Sequence, residues 1–317
     1  MDKRPTFTRV FDQPILGLQG IRWTAANPSV MFPTVLEAPA WVNNPLDRLY
    51  MYYASHHGEG IGLATAPVPE GPWRVYEGGP VFTLAQAPML KGHVSSPDIM
   101  LAPEQEAVYL YYHGGGAHVR GQTMGSAHSR DGLSFEVTNP EVLLHPPEDE
   151  ARWDGLSHGY LRSFRVGEEL FGVYMGYNGG GIAGCTYNKQ GLARSDDYLH
   201  WERVGKRALL EASEGSGDFG TIRHSGVLVR DGCFDAYYST RTSERRDREV
   251  LKVARVATEG RPQAWQAERL GTVLEPELPW EGADLRDPFP FCWEGKLYLY
   301  YAGGLEAGIG LAVAEDC

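Results

Sequence analysis

The chain has 317 residues, and its 29 Lys+Arg against 41 Asp+Glu give a formal net charge of −12. A 42% hydrophobic and 22% charged composition reads as a folded globular chain. The acidic balance, with no basic run, excludes nucleic acid and anionic membrane surfaces as partners, and no stretch approaches the ~18 apolar residues of a membrane span.

The opening Met1-Asp2-Lys3-Arg4-Pro5 is followed by no apolar signal core, so a cytoplasmic location is expected. Next comes Phe7-Thr8-Arg9-Val10, which resembles Trp201-Glu202-Arg203-Val204 much further on. Aromatic strands then recur as Leu49–Tyr53, Val108–Tyr112, Phe171–Tyr174, Phe234–Tyr238 and Lys296–Tyr301. Taking Tyr53, Tyr112, Tyr174, Tyr238 and Tyr301 as equivalents, the spacings are 59, 62, 64 and 63. Small-residue strands follow each of them (Gly60–Ala64, Met124–His128, Gln190–Arg194, Leu251–Arg255, Gly308–Ala312), and Trp73, Phe135, Trp201 and Trp265 open a fourth strand. Five units of about 63 residues, each with four strands, predict an all-β five-bladed β-propeller. The fifth unit ends at Cys317 without its outer strand, so residues near 6–11 are expected to complete it and close the ring, removing a free sheet edge. The whole of 1–317 is expected to be one domain. Cys185, Cys233, Cys292 and Cys317 form no CxxC and are expected to be reduced and structural.

In a propeller the first strand of each blade lines the axis, so residues about 63 apart converge there. The openings are Thr24–Ser29, His93–Asp98, Ser157–Arg162, Thr221–Gly226 and Asp284–Pro288. The period aligns Asp98, Tyr160, His224 and Asp287, with Asn27 or Pro28 as the first-blade counterpart. Polar residues at the start of apolar strands have no folding role, and so many histidines, arginines and aspartates aimed at one axis read as a site. His224 and His158 are acid candidates, and Asp98 and Asp287 bases or orienting carboxylates. Arg223 and Arg286 are anion clamps; Asn27, Tyr160 and Trp23 are further substrate contacts. The turns His56–Glu59, His113–His118, Tyr177–Gly181, Thr240–Arg246 and Gly303–Glu306 are a second source of site groups, or simply tight turns. The charge run Glu244–Glu249 reads as a solvated loop.

Ser96-Pro97-Asp98-Ile99-Met100, together with Ser129–Phe135 and Ser195–Trp201 as two copies of a Ser-x-Asp-x-x-x-aromatic turn, resembles the five-bladed propeller glycosidases over almost the full chain. That group includes glycoside hydrolase families 43, 32, 62, 68, 117 and 130. The resemblance implies a base in blade 1, an orienting Asp in blade 2 and an acid Glu in blade 3. Here Asp98 matches the second, Asn27 stands where the base is expected, and Ser157-His158-Gly159-Tyr160 offers no Glu. Family 117, in which a His serves as acid, is the nearer analogy. The implied function is inverting acid/base hydrolysis, by His and Asp, of a small glycan or acidic sugar in the central pocket, with no cofactor required. Two alternatives stand beside it. One is a lyase, isomerase or hydrolase using a divalent metal held by His93, His158 and His224, or a lyase with Tyr160 as acid and a His as base. The other is a propeller that binds carbohydrate without catalysis.

Overall fold

The structure, a computed structural model, describes residues 4–23, 28–137, 139–179, 188–213, 215–242, 248–315 and 317. It is all-β, with five sheets in a ring. The inner strands are Met31–Glu37, Leu90–Ala102, Ser157–Val166, Phe219–Arg230 and Leu285–Trp293. Each contacts the next around the axis, and the last contacts the first. The aromatic strands pair with them antiparallel, and the small-residue strands pair outside those.

Why small residues occupy the third strand is visible at one register position. Gly62, Gly125, Gly191 and Gly310 lie opposite Tyr53, Tyr112, Tyr174 and Tyr301. A Cβ at Gly62 or Gly125 would come 2.7 Å from the facing tyrosine ring, and one at Gly191 or Gly310 2.5 Å. The tyrosines lie flat across the neighbouring strand and leave no room for a methyl group. Blade 4 departs from this pattern with Lys252 opposite Tyr238.

The outer strands are short. Arg74–Val75 and Glu202–Arg203 pair for two residues each, while Ala267–Leu274 is longer. In blade 2 the expected outer strand at Phe135 reduces to the single bridge His128–Glu136. The ring closes as the sequence predicts: Thr8 and Arg9 pair with Val313 and Ala312, so the N-terminal segment is the outer strand of blade 5. Apolar layers fill all five interfaces between blades, for example Phe164, Phe171, Phe234 and Trp265 between blades 3 and 4. The two Ser-x-Asp turns are Asx turns, in which Asp131 accepts from Leu133 and Ser134 N–H and Asp197 from Leu199 and His200 N–H. One expectation fails: Cys292 and Cys317 form a disulfide with Cα atoms 5.7 Å apart, tying the end of the chain to the inner strand of blade 5. Cys185 lies outside the described residues.

Candidate functional site

The axis is built by one backbone device used five times. Each inner strand carries one extra residue relative to its partner, between Met31 and Thr34, Ser95 and Asp98, Gly159 and Arg162, Arg223 and Gly226, and Arg286 and Phe289. The first residue inside each bulge is left-handed: Phe32 (φ 60°), Ser96 (54°), Tyr160 (59°), His224 (30°) and Asp287 (50°). Non-glycine residues avoid that conformation, and its concentration on the axis marks a place where backbone strain is held for another purpose. The true equivalents are therefore spaced 64, 64, 64 and 63 residues apart. This corrects two alignments. The blade 1 counterpart is Phe32, not Asn27 or Pro28, and Asn27 lies outside the described residues. The blade 2 counterpart is Ser96, so Asp98 lies two residues further along its strand.

Asp98 is 3% exposed. Its Oδ2 accepts from Ser163 N–H (2.8 Å) and Oγ–H (2.5 Å), and its Oδ1 is 3.5 Å from Arg162. Arg162 in turn donates to Thr34 Oγ1 and to the Pro97 carbonyl. Burial raises the Asp98 pKa, and Arg162 and Ser163 act against that rise. This is a buried polar girdle joining blades 1, 2 and 3.

Tyr160 is wedged between the rings of His113 and His224, each 4.0 Å away, with Phe32 at 5.7 Å. Burial raises its pKa well out of reach of neutral pH, so the hydroxyl keeps its proton. His224 Nδ1 abuts Asp287 Oδ1, and both side chains are almost wholly buried. Burial lowers the His224 pKa despite that carboxylate, so the ring is neutral near pH 7.

The two predicted arginine clamps differ. Arg286 is fully engaged, with Glu249 at 3.1 Å, Asp284 at 2.8 Å and Glu306 at 2.5 Å. Burial opposes its charge, but these carboxylates outweigh it and raise the pKa. Among the described residues Arg223 has one long ionic contact, 3.9 Å to Glu249. Glu249 itself is buried and paired, so the end of the charge run expected to be solvated belongs to the axis.

The proposed histidine triad is dispersed. His158 Nε2 receives Arg203 at 2.6 Å, and burial followed by that positive charge pushes its pKa down to about 4. His93 packs against His57 (5.2 Å) and His113 (5.5 Å), and burial brings it to about 4 as well. His224 faces Asp287 instead. Among the described residues no three His, Cys, Asp or Glu side chains converge as metal ligands. Trp23 lies over Tyr53 and against Gly58, Gly60 and Gly62, where it acts as packing between strands.

A cavity of about 550 Å³ opens at the axis, lined among others by His56, Tyr160, Arg223, His224 and Arg120. A groove of about 680 Å³ lies at the perimeter, between the outer edges of blades 3 and 4 and away from these groups. The axial cavity brings in two residues that the period does not mark. His56 Nδ1 is 3.0 and 3.1 Å from the two oxygens of Glu306. Burial pushes the Glu306 carboxyl up, but the His56 hydrogen bond and the charges of His56 and Arg286 outweigh it and hold it below its ordinary value. An ionised carboxylate only accepts, so His56 Nδ1 carries the proton. Leu305 and Glu306 are both left-handed (φ 56° and 72°), and the Glu306 carbonyl accepts Val30 N–H across the closure of the ring. The signal for these groups is topological: the turns between second and third strands open at the same end as the inner-strand starts.

No protein-family model matches the chain. An uncharacterized protein of Acanthamoeba polyphaga mimivirus is 25% identical over 91% of this chain and 84% of its own length. Among solved structures, a thermostable family-43 glycoside hydrolase superposes with a TM-score of 0.68 at 14% identity, covering 90% of this chain and 88% of its own. The β-1,2-mannobiose phosphorylase of Listeria innocua gives a TM-score of 0.68 at 12% identity, covering 98% and 97%. The fold is therefore that of the family-43-like five-bladed propellers.

Proposed function

We propose that the chain is a glycoside hydrolase of a small glycan in which two histidines replace the usual carboxylate pair. The observation that carries this reading is the pair of carboxylate-backed imidazoles on one cavity, His56 on Glu306 and His224 on Asp287. In both, Nδ1 is engaged by the carboxylate, so Nε2 is the atom left for proton transfer. His56, held at Nδ1 by the ionised Glu306, is the residue placed to donate to the leaving oxygen. His224, kept neutral by burial, takes the proton of the attacking water. Glycosidic cleavage passes through an oxocarbenium-like transition state. Glu249, Asp284, Asp287 and Glu306 gather around Arg286 and Arg223 behind the cavity wall, four carboxyls to two guanidiniums, which favours positive charge developing at the sugar. The glycoside hydrolases and the phosphorylase that share the fold support glycan chemistry at this axis.

A panel of α- and β-linked pentosides, hexosides and uronides in ¹⁸O-water tests the reading. The expected result is ¹⁸O at the anomeric carbon of one product, with kcat reduced about 10²–10⁴-fold in His224→Ala and in His56→Ala. Cleavage to an unsaturated sugar without ¹⁸O would replace hydrolysis by elimination, with the protonated Tyr160 beside His224 as acid. Full activity in both variants would remove the assignment.

A further inference from the structure

We infer that the cavity carries an anion subsite built on Arg223 and Arg120, and that it reads a carboxylate on the sugar; this rests on the glycan reading above. Arg223 is the anomalous arginine of the axis. Its side chain is only 18% exposed, yet among the described residues it makes no hydrogen bond, and its Nε is wholly buried without a partner. A guanidinium has five N–H donors, and a buried one left unpartnered is costly. The nearby Glu249 does not meet that need. Its Oε2 is 3.9 Å from Arg223 Nη1 but 3.1 Å from Arg286 Nε, so Arg286 holds it. The contrast with Arg286, which meets a carboxylate through each of its three nitrogens, isolates Arg223 as a cation with donors to spare.

The cavity it faces contains a second such cation. Arg120, on the turn before the third strand of blade 2, is exposed and has no ion pair among the described residues. Among the described residues no Asp or Glu lines that cavity; the carboxylates of the axis stand behind Arg286 and the histidines. A planar anion with two equivalent oxygens is the ligand that satisfies guanidinium donors in pairs. On a small glycan, that group is the carboxylate of a uronic acid. The cavity volume of about 550 Å³ lies within the range of small-molecule sites, roughly 300–1,000 Å³.

Binding measurements test this without turnover. Galacturonate and glucuronate are titrated by calorimetry against galactose, glucose and the methyl ester of galacturonate, with inorganic phosphate and sulfate as free-anion probes. The expected result is that one uronate binds about ten- to a hundredfold more tightly than its neutral and esterified forms. Arg223→Gln abolishes that preference, Arg120→Ala on the exposed rim reduces it, and neutral-sugar affinity barely moves. Equal affinity for uronate and ester overturns the inference, and so does binding of phosphate or sulfate without the uronates. If uronates bind selectively but no substrate is cleaved, the hydrolase reading fails while the subsite stands.

Discussion

Blades 3, 4 and 5 hold their second-strand tyrosines by charge, whereas blades 1 and 2 hold theirs by packing and uncharged partners. Tyr174 donates to Asp154, Tyr238 to Asp218 and Tyr301 to Glu281, and in each blade the carboxyl lies 20 residues before the tyrosine. Each carboxylate also receives Nε–H of an outer-strand arginine: Arg203 at 2.6 Å, Arg269 at 2.8 Å and Arg9 at 2.7 Å. In blade 4 Lys252 adds a further contact at 2.8 Å, which accounts for its place where the other blades have glycine. Among the described residues blades 1 and 2 show no such clasp. Tyr53 donates to the Gly20 carbonyl and lies against Trp23, while Tyr112 reaches the Met89 sulfur at 3.4 Å and lies 4.6 Å from the Phe82 ring. Apolar packing removes area from water but specifies position weakly, whereas a buried carboxylate with directional donors fixes which residue stands where. In blades 3 and 5, whose outer strands pair for only two residues each, the clasp fixes register where the backbone supplies little of it. In blade 5 it does so between residues 272 positions apart, at the closure of the ring.

The largest effect that tests this contrast is expected from Asp218→Ala, which leaves Lys252, Arg269 and the Tyr238 hydroxyl facing a buried void. The expected loss is about 3–5 kcal/mol of unfolding free energy by urea titration. A loss no larger than that of a surface substitution would reduce the clasp to decoration.

Acid should act less strongly, because protonation keeps the atoms in place, and it should act on blade 2 and on the blade 5 clasp in different windows. Burial pushes Glu281 up, but Arg9, backbone N–H groups and Tyr301 outweigh it and hold its carboxyl below the ordinary 4.5. The stability contributed by this depressed group is complete above that value and is lost as pH falls through the folded pKa. In blade 2 the group is His93, lowered from 6.5 to about 4. The unfolded chain takes up that proton first, so stability already falls between those two values. Amide exchange, corrected for intrinsic rate, should show blade 2 loosening between pH 6.5 and 4 and the blade 5 clasp only below about 4.5. Simultaneous loosening would break the distinction.

The smallest effect comes from removing single hydroxyls. Tyr174→Phe loses a hydrogen bond to a carboxylate and should cost about 1.5–3 kcal/mol, whereas Tyr112→Phe loses only long contacts and should cost less than about 1 kcal/mol. Equal costs would mean that charge adds nothing to the tyrosine's hold.

The architecture was legible because packing repeats. Tyrosines over small residues recur in every blade, and the likeness of Phe7-Thr8-Arg9-Val10 to Trp201-Glu202-Arg203-Val204 reflects an arginine needed at the same clasp. The site was legible only in part, because function breaks the repeat. Tyr160, His224 and Asp287 were aligned correctly. The period aligns Asp98 with them two residues too far along its strand, because the bulge sets Ser96 at that level. His56 and Glu306 come from turns of different length and share no period. That Arg286 is spent and Arg223 is not depends on Glu249, Asp284 and Glu306, whose meeting only the ring creates. The Cys292–Cys317 link likewise depends on where the chain end returns.

The five bulges separate what the blades are from what they display. Phe, Ser, Tyr, His and Asp occupy one backbone setting, and of these only Phe32 and Tyr160 also belong to the apolar layers that hold the blades together. A lineage can rewrite this row of five letters one at a time, trading ring for acid or base, while the scaffold is inherited intact.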